Sequence, residues 1–340
     1  MIERTDAVEE HGEAFNEAPD EAHNEAHEAP TDAALLAEAR RLILKHLPAP
    51  GVRLTDVPGL ALYHIASNDF IERNAGELLV SFIVSGRKAT AVGDRVLEYG
   101  PGQSLVCGIA SPTEFHTLDA SPESPFLALA VSLDPAILME YAAAIGLKAS
   151  DANSADDPGG VFVIRPDVEL ARAFLRLLRL LERPSLVAVR APLALRDLHA
   201  LLLDSKEAAT LRDLAIAGSV GHAVSAAAEW LRRNYADNCS VADLAERSHM
   251  SPPTFHRHFR RLTGLSPVQF RKRVRLYEAR KLLLSRRMNV AGASFAVGYE
   301  SSSQFVRDYK GLFGEPPLRD IRRLSATEPT GEGDAVDAAG

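Results

Sequence analysis

The apolar positions of the chain change period twice. Beginning at Thr31, Leu35, Leu36, Ala39, Leu42, Ile43 and Leu47 recur at helical spacing until Pro48, with Thr31 or Asp32 available as a cap. Roughly 52–133 then reads as short strands. LLVSFIV (78–84), KATAVG (88–93), DRVLEYG (94–100), QSLVCGI (103–109) and PFLALAVSL (125–133) are strand-like runs, and SGR, VGD, YGPGQ and ASPESP supply turn chemistry between them. Strands so short and evenly spaced predict a small antiparallel barrel or jelly roll. Beyond a Gly/Asp/Ser loop at 149–160 the helical period returns for good. In DVELARAFLRLLRLLE (167–182), Leu170, Phe174, Leu177, Leu178 and Leu181 share one stripe with arginines opposite, and APLALRDLHALLLD (191–204) repeats the pattern. Leucine-rich helices between domains serve internal packing more often than a dimer interface, and both readings stay open.

The last third of the chain carries a repeat. SPPTFHRHFRRLTG (251–264) and SSSQFVRDYKGLFG (301–314) lie at an offset of 50 residues. Both fit S-x-x-x-F-x-R-x-[F/Y]-[R/K]-x-L-x-G. Ser251 and Ser301 suit N-caps, and Gly264 and Gly314 suit helix ends. Phe255, Phe259 and Leu262 fall at i, i+4, i+7, as do Phe305, Tyr309 and Leu312, giving each helix one buried stripe. Arg257 and Arg307 fall off that stripe. A short helix precedes each copy, VADLAERS (241–248) and VAGASFAVG (290–298), so each unit reads as a helix-turn-helix. Between the copies, SPVQFRKRVRLYEARKLLL (266–284) has no Gly or Pro after Pro267. Its 19 residues span about 28 Å as a helix, near the ~34 Å that separates adjacent major-groove faces.

Charge sharpens this picture. The formal net charge is −8, but residues 220–325 carry 19 Lys and Arg against 9 Asp and Glu, while residues 1–219 carry 19 against 33. A basic module of about a hundred residues on an acidic remainder is the electrostatic footprint of a nucleic-acid binder. Residues 1–30 and 326–340, rich in small and acidic residues, are expected to be disordered tails. Two cysteines, Cys107 and Cys239, leave no disulfide framework. The acidic N-terminus lacks the pattern of a secretory signal and no apolar run approaches ~18 residues, so a cytoplasmic protein without membrane association is expected.

Three histidines crowd HMSPPTFHRHFRRLTG, which raises a metal site. Geometry argues against it: His256 and His258, two apart on a helix, diverge by about 200°. His249 can approach only one of them, and no local cysteine or carboxylate completes the set of ligands that zinc requires.

From about 220 to 325 the chain resembles the AraC/XylS-type transcription regulators, through LAERSHMSPPTFHRHFRRLTGLSP, RLYEARKLLL and VGYESSSQFVRDYKGLFGEPP. The region before it resembles the N-terminal domain of one subgroup, through VPGLALYHIAS, VSGRKATAVGDRVLEYGPGQ and SPFLALAVSLDP. The resemblance implies an α+β multidomain protein. It would comprise an N-terminal helix and cupin-like β-barrel for sensing or dimerisation (31–165), a helical linker (166–218), and an all-α domain of two helix-turn-helix units joined by a long helix (219–325). The implied function is sequence-specific DNA binding as a transcriptional regulator, with activator and repressor both left open. Implied partners are double-stranded DNA through its major groove, RNA polymerase, a small-molecule effector and a second copy of the chain.

By position, the first reading helix presents Pro253, His256, Arg257 and Arg260, and the second presents Ser302, Ser303, Gln304 and Arg307. Two departures from the family stand out. His249 sits where glycine is common, at a position expected to want φ > 0, and Pro253 replaces a small polar residue. The second unit's leading helix, with Ala291, Gly292 and Ala293, is poor in bulk and is expected to dock less rigidly. For the effector, Cys107 is a candidate thiol sensor, the alternative being a small buried hydrophobe. The alternative function is a metal-dependent cupin-type enzyme fused to a DNA-binding module. Against it, residues 76–110 contain no histidine, His64 and His116 are isolated, and no nucleophile elbow or phosphate loop appears. No enzyme, cofactor or metal is therefore expected.

Overall fold

The structure, a computed structural model, describes residues 32–147, 159–285 and 288–327. Most of the expected acidic tails and of the 149–160 loop lie outside these residues.

The first helix, α1 (Asp32–His46), leads into the strands β1 (Gly51–Leu54), β2 (Leu60–Ile65), β3 (Ile71–Asn74), β4 (Leu79–Ser85), β5 (Lys88–Val92), β6 (Arg95–Tyr99), β7 (Ser104–Cys107), β8 (Thr113–Thr117) and β9 (Phe126–Ser132). After α2 (Pro135–Ala144) comes β10 (Val161–Ile164), followed by α3 (Val168–Leu180), α4 (Pro184–Asp204) and α5 (Ala209–Ala215). The strands form two antiparallel sheets, one ordered β1-β2-β9-β4-β7-β10 and the other β3-β8-β5-β6. Among the described residues, hydrogen bonding does not join them into a closed barrel.

The larger sheet is covered on both faces, which explains its almost continuous apolar strands. Val80, Phe82, Val84, Val106, Leu127, Leu129 and Val131 point to α1, α3 and α4. Ile83, Leu105, Cys107, Phe126 and Ala128 point the other way, toward Val92, Tyr99 and Phe115 of the smaller sheet. Phe82 and Phe174 stack at 5.1 Å and tie α3 to the sheet, so these leucine-rich helices are in large part internal packing. The α4 helix starts at Pro184 rather than near Ala191 and carries Pro192 inside it. That proline is tolerated because it sits on the exposed face, where the carbonyl left without a donor meets water.

Between the two sheets lies Lys88, a residue whose burial the strand pattern does not reveal. Its ammonium is 4.4 Å from the Phe115 ring centre, 5.2 Å from that of Tyr63 and 5.5 Å from that of Phe126, with Glu72 at 3.5 Å. Burial pushes its pKa down, and the Glu72 carboxylate pulls it back up. The space left around it is only about 20 Å³, so the sandwich interior is essentially full.

The rest is helical: α6 (Val220–Arg233), α7 (Val241–Arg247), α8 (Pro252–Thr263), α9 (Pro267–Leu284), α10 (Val290–Ala296), α11 (Ser302–Phe313) and α12 (Pro317–Thr327). The smaller-sheet side of the sandwich and the first helix-turn-helix share one core, in which Ile109, Ala110 and Val92 are continuous with Phe255, Phe259 and Leu262. Among the described residues, no helix is long and apolar enough to cross a membrane.

Candidate nucleic-acid interface

Each helix-turn-helix is assembled by local devices. Ser240 and Asp243 cap α7 reciprocally, and Ser251 Oγ accepts from the Thr254 N–H at the start of α8. In the turn between them His249 has φ 53°, the only positive-φ non-glycine among the described residues, which meets the expectation for that position. Phe255, Phe259 and Leu262 are fully buried, and Phe270 of α9 meets Phe259 edge-on at 5.3 Å. Gly264 ends α8 at φ 74° with its N–H donating to the Arg260 carbonyl. With the stripe buried, Pro253, His256, Arg257 and Arg260 are left exposed. His258 is buried beside Phe259. Its burial, reinforced by Arg261 and Arg257, lowers its pKa and favours the neutral ring.

The second unit repeats the plan. Asn289 caps α10, Gly298 turns at φ 84°, and Ser301 Oγ accepts from the Gln304 N–H. Phe305 and Tyr309 are fully buried, whereas Leu312 is half-buried. Ser303, Gln304 and Arg307 are exposed, and an Arg307 guanidinium nitrogen lies 3.4 Å from Gln304 Oε1. Ser302 is placed differently: it is half-buried, its hydroxyl 3.0 Å from that of Ser294, so it joins α10 to α11. The α10 helix buries only Ala293 and Ser294 and leaves Phe295 58% exposed, consistent with its lack of bulk.

The connecting helix α9 has 18 residues, about 27 Å at 1.5 Å rise. Two of its basic residues hold the segment between α6 and α7. Arg271 donates to the Cys239 carbonyl at 2.8 Å, and Arg275 donates to those of Tyr235 and Ala236 at 2.6 and 3.1 Å. Lys272 instead pairs with Asp308 of α11 at 3.5 Å. At the far end, buried Asp320 of α12 accepts from Arg280 of α9 at 2.7 Å and from the Tyr309 hydroxyl at 2.7 Å. Burial raises the Asp320 pKa, but these donors more than offset it and hold the carboxyl below its usual range.

The sandwich grips the first unit directly. Ser111 Oγ donates to the Thr263 carbonyl at 2.8 Å and the Gly160 N–H donates to that of Leu262 at 2.8 Å, so two carbonyls at the end of α8 are satisfied by the other domain. Gly93 and Gly264 pack backbone on backbone, closely enough that a side-chain carbon on Gly93 would overlap the Gly264 carbonyl. Beside this contact, Arg260 of α8 pairs with Asp94 of the sandwich at 3.2 Å. Asp94 and its neighbour Arg95 are the site neighbours that helix periodicity misses, because their proximity to α8 arises only from domain docking.

The candidate sensing residue, Cys107, lies inside the sandwich at 2% exposure, where burial pushes its thiol up to about 12. A thiolate is disfavoured there, and Lys88's opposing pull does not compensate. His64 and His116 sit on different sheets, and His116 Nε2 lies 2.7 Å from Glu114. Among the described residues no group of three or more His, Cys, Asp or Glu is arranged to hold a metal.

A β-sandwich docked on two helix-turn-helix units joined by one long helix defines the class. Residues 56–210 match the model of the AraC-type transcriptional regulator N-terminus, and residues 244–323 match a helix-turn-helix domain model. The chain belongs to the AraC/XylS family of transcriptional regulators. It is similar to the HTH-type transcriptional activator RhaS of Pectobacterium carotovorum (30% identical over 100 residues, 29% of this chain and 36% of that one). It is also similar to the bifunctional transcriptional activator/DNA repair enzyme AdaA of Bacillus subtilis (28% over 105 residues, 31% of this chain and 49% of that one). The chain thus spans less than half the length of either relative. Its fold resembles that of an apo, singly substituted ToxT from Vibrio cholerae, with a TM-score of 0.50 at 9% identity, covering 78% of this chain and 97% of that one.

Proposed function

We propose that the protein is a sequence-specific DNA-binding transcriptional regulator of the cytoplasm, acting without catalysis of its own. The carrying observation is the repeated exposed face, Pro253, His256, Arg257 and Arg260 on α8 and Ser303, Gln304 and Arg307 on α11, joined through α9, whose length of about 27 Å is near the ~34 Å of one duplex turn. In this reading α8 and α11 enter successive major grooves and Arg257 and Arg307 read base edges. Ser302 contributes by fixing the turn rather than by reaching the groove. RNA polymerase is the expected downstream partner of an activator of this kind.

The effector site we favour is the cavity of about 400 Å³ between the sandwich, α2, α5 and α6, because the sandwich interior is full. Leu78, Leu133, Leu138 and Leu214 supply an apolar floor, and His222 and Arg232 of α6 supply polar contacts. Arg232 is already paired with Glu229 at 2.7 Å, so a small apolar molecule with one polar end fits that chemistry. Occupation would press on α6, which packs against α8 and α9. A homodimer would use the exposed Val189 and Leu193 on α4, one turn apart and 69% and 67% exposed.

The test is selection of a binding duplex from a randomised pool, followed by titration. Arg257→Ala and Arg307→Ala are each expected to cost about 1–3 kcal/mol of binding at unchanged melting temperature. Unchanged affinity in both variants overturns the reading.

A further inference from the structure

The turn between β5 and β6, Val92-Gly93-Asp94-Arg95, belongs to the sandwich but lies among basic residues of both helix-turn-helix units. On one side, an open cleft of about 420 Å³ is bounded by Asp94 and Arg95 together with Arg257, Arg260 and Arg261 of α8. On the other, a cleft of about 310 Å³ is bounded by the same Asp94 and by Lys272, Arg273 and Arg307, with Asp308 beside Lys272. Asp94 therefore stands where the basic side chains of both clefts converge. Its side chain is 88% exposed, so burial does not hold it there. The Gly93–Gly264 backbone contact fixes the turn, and Arg260, 3.2 Å away, supplies the charge. An open arginine cleft of this kind collects anions, and the planar guanidinium matches phosphate oxygens. The resident Asp94 carboxylate marks where such an anion would sit.

We propose that the β5–β6 turn is part of the DNA interface. Arg95 joins Arg260 in holding one backbone phosphate beside the base-reading Arg257, and Asp94, paired with Arg260, occupies that phosphate's place until duplex arrives. This rests on the reading that α8 and α11 bind duplex, and it adds a contact from the other domain. Arg95 is half-buried, with a guanidinium nitrogen 3.5 Å from the Val161 carbonyl, so part of its side chain is anchored at the cleft wall. A phosphate contact carries no sequence information, so its loss weakens binding to all duplexes alike. Asp94 opposes every such contact and limits affinity for the same reason.

The experiment titrates full-length protein with the selected duplex and with a scrambled one, across salt from about 50 to 200 mM. Arg95→Gln is expected to weaken both by the same factor and to flatten the slope of log K against log salt by about 0.9. Arg95→Lys, which keeps the charge, is expected to retain the slope and so controls for lost packing. Asp94→Asn is expected to tighten both duplexes about two- to five-fold. Wild-type slope and affinity in Arg95→Gln overturn the proposal, as does a loss confined to the selected duplex. Unchanged affinity in Asp94→Asn removes that residue's part. Free anions share the chemistry, so calorimetry with inorganic pyrophosphate supplies a further arm. Pyrophosphate binding lost in Arg95→Gln with duplex slopes intact assigns the cleft to a free anion and overturns the duplex contact. If Arg257→Ala weakens binding and Arg95→Gln does not, only this inference fails. If Arg257→Ala, Arg307→Ala and Arg95→Gln all leave binding unchanged, the underlying reading fails.

Discussion

His249 is the residue at which local energy and architecture most plainly disagree. Its N–H bonds to the Glu246 carbonyl and the next N–H, of Met250, bonds to that of Ala245, so α7 closes through a left-handed position. The equivalent position of the second unit is Gly298 at φ 84°. A left-handed non-glycine costs roughly 1–2 kcal/mol, while glycine adds freedom to the unfolded chain. His249→Gly is therefore expected to stabilise the protein by about 0.5–1 kcal/mol in urea denaturation; a destabilised variant would show that the imidazole itself holds the turn. This position is legible through the family resemblance, which marks it as a place where glycine is common. The burial of Lys88 is not, since KATAV gives no sign that Tyr63, Phe115 and Phe126, from three other strands, converge on its ammonium.

At the scale of elements, the caps, glycine ends and i, i+4 stripes of α8 and α11 can be read directly, because each is set within about four residues. Sheet order is another matter. The β4–β9 and β7–β10 pairs join segments roughly fifty residues apart, so short runs such as β1, β3 and β10 carry little signal until their partners are known. The α12 helix is similarly hidden, its pattern running without a break into the acidic tail. Its anchor is the buried Asp320, shared by Arg280, Tyr309 and Arg323. Asp320→Ala strands a buried guanidinium and is expected to cost about 3–5 kcal/mol in chemical denaturation. The lowered carboxyl gives the pH sign: this contribution is present above the ordinary carboxylate range and is lost as pH falls through the lowered value. A variant as stable as the parent at neutral pH contradicts this account.

The whole molecule depends on glycines that each read as ordinary turn residues. Gly93, Gly160 and Gly264 are where the sandwich meets the end of α8, and only assembly shows why none of them has room for a side chain. Gly93→Ala forces a carbon against the Gly264 carbonyl at φ 60°, and is expected to lower stability by about 1–3 kcal/mol. Differential scanning calorimetry checks this, and a variant melting at the parent temperature would show that the two domains separate freely.

Under the proposed reading, in which α8 and α11 bind duplex, the rigidity of α9 has a consequence for the nucleic acid rather than for the protein. A helix without internal glycine or proline, packed against both units, behaves as a fixed-length ruler. One added base pair between the two contacted segments would shift the far segment by about 3.4 Å and rotate it by about 35°. The ruler has no joint with which to follow, so the target must keep its two halves in helical phase, and its spacing is as much a part of the address as its bases.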